Sequence, residues 1–334
     1  MKITFLGSGA WATALAYDLT KTPGHDILMY GKEASEIDDI NARHCNSRYF
    51  SDIELPFSIH ATLDPKIALT GRDLLVLAVP SSQINNIVAL IEEYCDTNPL
   101  LVNVIKGFDP KTGEGISHII KGSLEGKTKV KGLVSLVGPS FAYDVIHDDL
   151  TAVCAVSEDP EQARLVQRLF SCSNFRVYVQ TDVVGAETGA GMKNIIAIAS
   201  GIMEGLGYKD NTRAALITRG LAEMTRYGVR LGARKETFLG LTGVGDLCLT
   251  ASSHRSRNYE FGIAIGQADD AAPALAANTK TVEGVLAAKT IHFQSKRLGV
   301  ETPIVDVVYA VLYEGMKPSH GVKLLMEREL KVEN

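Results

Sequence analysis

Gly7, Gly9 and Ala12 stand at G-x-G-x-x-A spacing behind the β-branched and aromatic run Lys2 to Leu6, and good helix formers follow. Strand, glycine turn and helix in that order suit a pyrophosphate. Gly7 can turn tightly, Gly9 lets backbone amides approach the anion, and Ala12 keeps the helix close to the strand. The helix N-terminus adds unpaired N–H groups and a partial positive charge. Further along, Lys106-Gly107 ends one apolar run, and Gly138-Pro139-Ser140-Phe141-Ala142 ends another. Lys193-Asn194 lies inside a Gly-, Ala- and Ile-rich stretch, and Asp246 stands among apolar residues behind two glycines. A buried acid needs a partner, and a lysine is the natural one. Ser256-Arg257-Asn258 lines up a hydroxyl, a guanidinium and an amide, a grouping suited to a phosphate ester or, equally, to an exposed polar loop.

These groups need a scaffold, and the hydrophobic pattern supplies one. Lys2–Leu6, Asp26–Tyr30, Asp73–Val79, Leu100–Ile105, Gly132–Val137, Thr151–Val156 and Phe175–Val179 read as about seven short strands. Asp73–Val79 is almost wholly apolar, as a parallel strand covered on both faces must be. Pro80-Ser81-Ser82 is expected to cap a helix to about Tyr94, Ser140 is placed to cap another, and Pro160–Phe170 reads as a third. Interleaved strands and helices make a doubly wound sheet, in which ligands sit beyond the carboxyl ends of the strands. Lys106, followed by the Asp109-Pro110 turn, and Ser140 would both lie there. An acid after Asp26–Tyr30 would accept bonds from an NAD ribose; Gly31-Lys32 stands there instead, so a 2′-phosphate is tolerated or Lys32 is merely solvated, and Glu33 keeps NAD open. Residues 33 to 48 are polar with a helical start, and Tyr49 to Pro56 reads as a loop.

From Asp182 the strand patterns stop, so the boundary falls near residue 185, dividing the chain into a dinucleotide-binding domain (1–184) and a helical substrate domain (185–334). Gly185–Gly207 reads as a buried helix with little polar surface for Lys193 to snorkel along. Thr212–Leu231 carries Ile217, Leu221 and Met224 on one stripe and solvated arginines outside it. The Ala-rich residues 267 to 279 read as a mobile surface segment. Two domains accord with 334 residues, 46% apolar and 22% charged. A net charge of -5 and a pI near 5.9 argue against nucleic-acid or anionic-membrane partners. There is no run of about 18 apolar residues and no basic-then-apolar leader, so neither a spanning helix nor a signal peptide is expected. Five widely spaced cysteines without a C-x-x-C pair suggest free thiols in a reducing cytoplasm and no metal site.

Taken in order, Gly7–Ala16, Lys106-Gly107, Gly138–Ala142, Lys193-Asn194, Asn211–Met224 (NTRAALITRGLAEM), Gly240–Thr250 and Ser256-Arg257-Asn258 resemble the bacterial NAD(P)-dependent glycerol-3-phosphate dehydrogenases over nearly the whole chain. The resemblance implies a Rossmann-like, mostly parallel sheet, an all-helical substrate domain, and a homodimer using NADP or NAD. It makes Lys193 the proton donor and acceptor, with Lys106, Gly138, Ser140, Asp246, Ser256, Arg257 and Asn258 around a small phosphorylated substrate. Ala10, Trp11, Lys32, Tyr49, Lys106, Ala142, Arg257, Thr281 and Glu283 would line the cofactor. Ala12 departs from the family's usual glycine, which the fingerprint allows.

The chemistry of the residues agrees. Reducing dihydroxyacetone phosphate requires a hydride on one face of the carbonyl carbon, a proton for its oxygen, and a phosphate anchored away from both. Lys193 can give the proton if burial and Lys106 lower its pKa, while Asp246 raises that pKa and orients the amine. Asn194 would bond the substrate or hold Lys193, and Arg257 with Asn258 would clamp the phosphate. A β-hydroxyacid dehydrogenase shares the layout, but its lysine and asparagine stand at K-x-x-N spacing, whereas Lys193 and Asn194 are adjacent. A non-catalytic NAD(H)-sensing regulator would need a basic nucleic-acid surface that this acidic chain lacks.

Overall fold

Leu74–Leu77 is buried at every position, as a strand flanked by helices on both faces must be. It is β4 of an eight-stranded sheet in this computed structural model, which describes residues 1–108, 114–124, 130–278, 282–330 and 332–333. The other strands are β1 (Lys2–Leu6), β2 (Asp26–Tyr30), β3 (Ile59–Thr62), β5 (Leu100–Asn103), β6 (Gly132–Val137), β7 (Thr151–Val156) and β8 (Phe175–Gln180). Their order is β3-β2-β1-β4-β5-β6-β7-β8, and every pair is parallel except β6 with β7. The order therefore reverses between β1 and β4, at the carboxyl edge where a doubly wound sheet opens a crevice. The Asp109-Pro110 turn lies outside the described residues.

The sequence pattern misses β3, for a physical reason. It is a four-residue strand at the sheet edge, paired only with β2, with His60 exposed and Thr62 half-buried. The central strands are legible because alternate residues enter two cores. Ile3, Phe5, Ile27, Met29 and Val76 face α1 (Ala10–Leu19), α6 (Ala142–Ile146) and α7 (Pro160–Phe170). Leu6, Leu75, Leu77 and Leu101 face α3 (Pro65–Leu69), α4 (Ile84–Tyr94) and α5 (Ile116–Leu124). A short α2 (Ala34–Asp38) follows β2. Asp159 caps α7 by accepting from the Glu161 amide at 2.9 Å, with Pro160 in the first turn.

Two expected caps are not formed. A 3-10 turn over Ser81–Gln83 precedes α4, and no side chain caps it. Phe141 holds the N-cap position of α6, while the Ser140 hydroxyl donates to the Gly138 carbonyl at 3.1 Å.

The chain divides into two compact units. Met1–Lys106 and Glu114–Val183 form the first, and Val184–Asn334 with Gly107 and Phe108 belong to the second. Among the described residues the second unit is helical: α8 (Val183–Gly205), α9 (Asp210–Arg230), α10 (Asp246–Ala251), α11 (Arg257–Ala268), α12 (Ala272–Ala277), α13 (Glu283–Leu298), α14 (Pro303–Tyr313) and α15 (Pro318–Met326). α8 runs buried from Gly185 through Ile202 apart from Glu187. It lies against α11 backbone to backbone: a Cβ on Gly201 would fall 2.0 Å from the Tyr259 carbonyl oxygen, and one on Gly262 2.2 Å from that of Ile198. Residues 267 to 278 lie mostly at the surface, as expected, and they carry helical structure. Ala268 ends α11, Ala271 is buried and α12 follows, as alanine's helix propensity favours; residue 279 lies outside the described residues. No helix among the described residues is long and apolar enough to cross a membrane.

Candidate active site

The glycine turn has the form that an anion-binding loop needs. Gly7 adopts φ +134°, donates to the Tyr30 carbonyl at 2.9 Å, and has no room for a side chain, since a Cβ would sit 2.2 Å from the Ala78 carbonyl oxygen. Gly9 is the N-cap of α1, and nothing lies within 4 Å of where its Cβ would point. The turn is closed behind Gly7 and open in front of Gly9. Ala10 and Trp11 are half-buried in the first turn of α1, and Ala12 is buried. The Trp11 Nε1 is buried without a hydrogen-bond partner among the described residues. An open amide cradle with an unmatched donor beside it fits a dinucleotide pyrophosphate.

The carboxyl ends of the neighbouring strands carry the next group. Beyond β5, Asn103 shapes the exit: its Oδ1 accepts from the Ile105 amide at 3.0 Å and its Nδ2 donates to Ser135 Oγ at 3.1 Å. Half-buried Lys106 follows directly. Gly138 and Ser140 occupy the turn beyond β6, the strand next to β5, and Ala142 opens α6 after it. Lys32 is exposed after β2, its amine donating to Gln83 Oε1 at 3.2 Å, and Glu33 is also exposed. Tyr49 is 38% exposed.

In the second unit, α8 presents Lys193 and Asn194 in succession. Lys193 is 4% exposed and Asp246, the first residue of α10, is 1% exposed; Nζ donates to Oδ1 at 2.5 Å. Thr250 fastens the acid's backbone by donating to the Asp246 carbonyl at 2.6 Å. The expected lysine partner of Asp246 is thus Lys193 itself. Asn194 accepts from Asn258 Nδ2 at 3.0 Å and donates to Glu283 Oε2 at 3.0 Å, while the Gly284 amide donates to Asn258 Oδ1 at 2.9 Å. These bonds tie α8 to the N-terminal turns of α11 and α13, and both ends of the Asn258 amide are engaged by protein. Ser256 is the N-cap of α11, its Oγ accepting from the Tyr259 amide at 3.3 Å, and Arg257 is exposed at the first helical position. Thr281 lies outside the described residues.

Three polar residues around the glycine turn, Glu36, Asn46 and Arg48, escape the sequence reading. Glu36, 6% exposed, accepts from Ser8 Oγ at 2.7 Å and from Arg48 Nη1 at 2.5 Å. Asn46, 1% exposed, donates through Nδ2 to the Ser8 carbonyl at 2.8 Å and to Thr13 Oγ1 at 2.9 Å. In sequence they look like an ordinary polar stretch. Their one local signal is a carboxylate on a helical turn shortly after a β2 that lacks its expected acid.

The family model described as NAD-dependent glycerol-3-phosphate dehydrogenase N-terminus matches residues 2–163, and the one described as the C-terminus of the same family matches residues 182–323. The chain is 43% identical over 331 residues to a glycerol-3-phosphate dehydrogenase (NAD(P)+) from an Exiguobacterium species, covering 99% of this chain and 96% of the relative. It is 41% identical over 332 residues to the protein of that name from Staphylococcus epidermidis, covering 99% of each. Among solved structures it is similar to a glycerol-3-phosphate dehydrogenase from Coxiella burnetii, with a TM-score of 0.89, 32% identity and coverage of 98% of this chain and 99% of the other.

Proposed function

The chain belongs to the NAD-dependent glycerol-3-phosphate dehydrogenase family, and on that premise we propose how its own residues carry the reaction. It is an NAD(P)-dependent oxidoreductase that interconverts dihydroxyacetone phosphate and sn-glycerol 3-phosphate. The dinucleotide, when bound, supplies or takes the hydride. Gly7, Gly9, Ala10, Trp11 and Ala12 hold its pyrophosphate on the amides that open α1, and Lys32, Tyr49, Ala142, Thr281 and Glu283 contribute to its binding.

Lys193 gives the proton to the carbonyl oxygen in reduction and takes it back in oxidation. Asp246 holds the amine in place, and Asn194 holds α8 to the turns that carry Arg257 and Glu283. Arg257, at the N-terminal turn opened by Ser256, anchors the phosphate, with Asn258 keeping that turn against α8. Lys106, Gly138 and Ser140 complete the substrate contacts. The observation that carries this reading is the buried Lys193–Asp246 pair beside an amide relay reaching the start of α11. The product feeds glycerophospholipid synthesis, and the enzyme works as a cytoplasmic homodimer.

The direct test is NADPH and NADH oxidation with dihydroxyacetone phosphate against unphosphorylated dihydroxyacetone. Turnover confined to the phosphorylated ketone supports the reading. Equal rates with both ketones, or none with either, overturn it.

A further inference from the structure

α8 and α11 meet along a seam with glycine on both sides. A Cβ on Gly205 would fall 2.3 Å from the Ile263 carbonyl oxygen and one on Gly266 2.3 Å from that of Ile202, continuing the contact made by Gly201 and Gly262. Gly201 faces Tyr259 and Gly205 faces Ile263, so the two helices run in the same direction along the seam. Such a seam brings backbones close, but without interlocking side chains it does not fix how far one helix has slid along the other. The sliding matters, because α8 carries Lys193 and α11 begins at Arg257. We propose that Glu204 is a positioning residue for the substrate phosphate: by accepting the Tyr259 hydroxyl it sets the height of α11 on α8, and so the place of Arg257 relative to Lys193. This rests on Arg257 as the phosphate anchor.

Two polar ties pull on neighbouring residues of α11 in opposite directions. Asn258 donates to Asn194 at 3.0 Å, and the Tyr259 hydroxyl donates to Glu204 Oε2. Asn194 and Glu204 stand ten residues apart on one helix, about 15 Å along its axis. One tie holds the start of α11 towards the front of α8 and the other towards its end, so sliding either way must stretch one of them.

The second tie is firmly seated. Tyr259 is fully buried, so its hydroxyl needs a partner, and Glu204, with a side chain 30% exposed, supplies a charged one. The carboxylate is itself held: Arg213 on α9 donates to Oε2 at 3.0 Å, and His254 Nε2 lies 3.5 Å from Oε1. His254 Nδ1 bonds to Glu260 on α11, so the loop leading into Ser256 is tied to the same point. Glu204 follows Lys193 by eleven residues, close to three full turns, and projects from the same side of α8 as the amine. Neither Glu204 nor Tyr259 is among the residues proposed to touch substrate or coenzyme.

The test is steady-state reduction of dihydroxyacetone phosphate by the whole enzyme, with kcat and the KM of each substrate read separately. Tyr259→Phe, which keeps the ring and removes the hydroxyl, should raise the KM for dihydroxyacetone phosphate by about threefold to tenfold, the range of one hydrogen bond, while the KM for the coenzyme holds. Glu204→Ala should raise it at least as far. Glu204→Gln, whose amide carbonyl still accepts from Tyr259, should fall between Glu204→Ala and the wild type. Adding Tyr259→Phe to Glu204→Ala should change the KM by less than about twofold, because both act through one bond. A variant that is only less stable loses active enzyme, which lowers the apparent kcat and leaves both KM values in place.

An unchanged KM for dihydroxyacetone phosphate in Tyr259→Phe and Glu204→Ala, or a fall in apparent kcat alone, overturns the proposal and leaves Arg257 as the anchor. Equal rises in both KM values overturn it as well, since the effect would not be confined to the phosphate. An Arg257→Ala enzyme with an unchanged KM removes the anchor and the proposal together.

Discussion

Asp246→Leu leaves the Lys193 ammonium in a site where lysine and aspartate are 4% and 1% exposed, without the carboxylate that accepts from it at 2.5 Å. Breaking one side of such a pair costs about 3–5 kcal/mol, because the remaining charge stays desolvated. Replacing both sides with apolar groups of similar volume is often neutral or better. Urea unfolding should therefore give Asp246→Leu a loss of about 3–5 kcal/mol, Lys193→Met a comparable loss, and the double variant Lys193→Met/Asp246→Leu a value within about 2 kcal/mol of the wild type. A coupling of at least about 4 kcal/mol follows. Turnover, in contrast, should be absent in the double variant, since the proton carrier is gone, so recovered stability without recovered activity is the expected signature. An Asp246→Leu protein within about 1 kcal/mol of the wild type would refute the reasoning, for it would mean that the amine finds water or another anion at no cost.

Lys193→Ala should cut dihydroxyacetone phosphate reduction by about a hundredfold to ten-thousandfold, the range of lost proton transfer, while coenzyme binding read from Trp11 fluorescence is retained; activity within a few-fold of wild type would remove the lysine from the chemistry. Arg257→Ala should raise the KM for dihydroxyacetone phosphate by about tenfold or more, and an unchanged KM would place the phosphate elsewhere. Lys32→Asp should shift the NADPH to NADH ratio of kcat/KM towards NADH; a constant ratio would show that Lys32 does not sense the 2′-phosphate. Glu223 on α9 accepts from the Ile304 and Val305 amides, each at 2.9 Å, at the start of α14, and burial pushes its pKa from the ordinary 4.5 up to about 7. The folded protein holds this proton more tightly than the unfolded chain, so the group's contribution is complete below about pH 4.5 and is lost as pH rises towards about 7. The shift corresponds to about 3 kcal/mol. Glu223→Gln should flatten that part of the stability profile, measured as urea midpoints at intervals across the window; an unchanged slope would show that the carboxyl is ionised in the fold throughout.

What could be seen in the sequence was local. β1 with its glycine turn, β6, β7 and α7 follow from runs, spacing and punctuation within a few residues of each other, and the apolar β4 follows from cover on both faces. β3 was hidden because four edge residues with one covered face leave no run to read. Ser140 looked like a cap because a hydroxyl before a helix usually is one, yet the chain turns so that Phe141 holds that position and Ser140 bonds to Gly138. The Ala-rich residues 267 to 278 read only as a surface segment because they lack an apolar stripe, and α12 forms there at the surface.

The sequence by itself determined the doubly wound class, the family and the kind of cofactor, since each depends on residue types at short spacing along one strand–turn–helix or within one helix. Only the tertiary structure decided the partners of the buried polar groups. Lys193 meets Asp246 across 53 residues, Asn194 meets Asn258 across 64, and Ser8 meets Glu36 across 28. Residue spacing has no bearing on such pairings. They are set where packed elements bring polar atoms together away from water, because a buried donor or acceptor must find its partner in whatever the fold puts beside it.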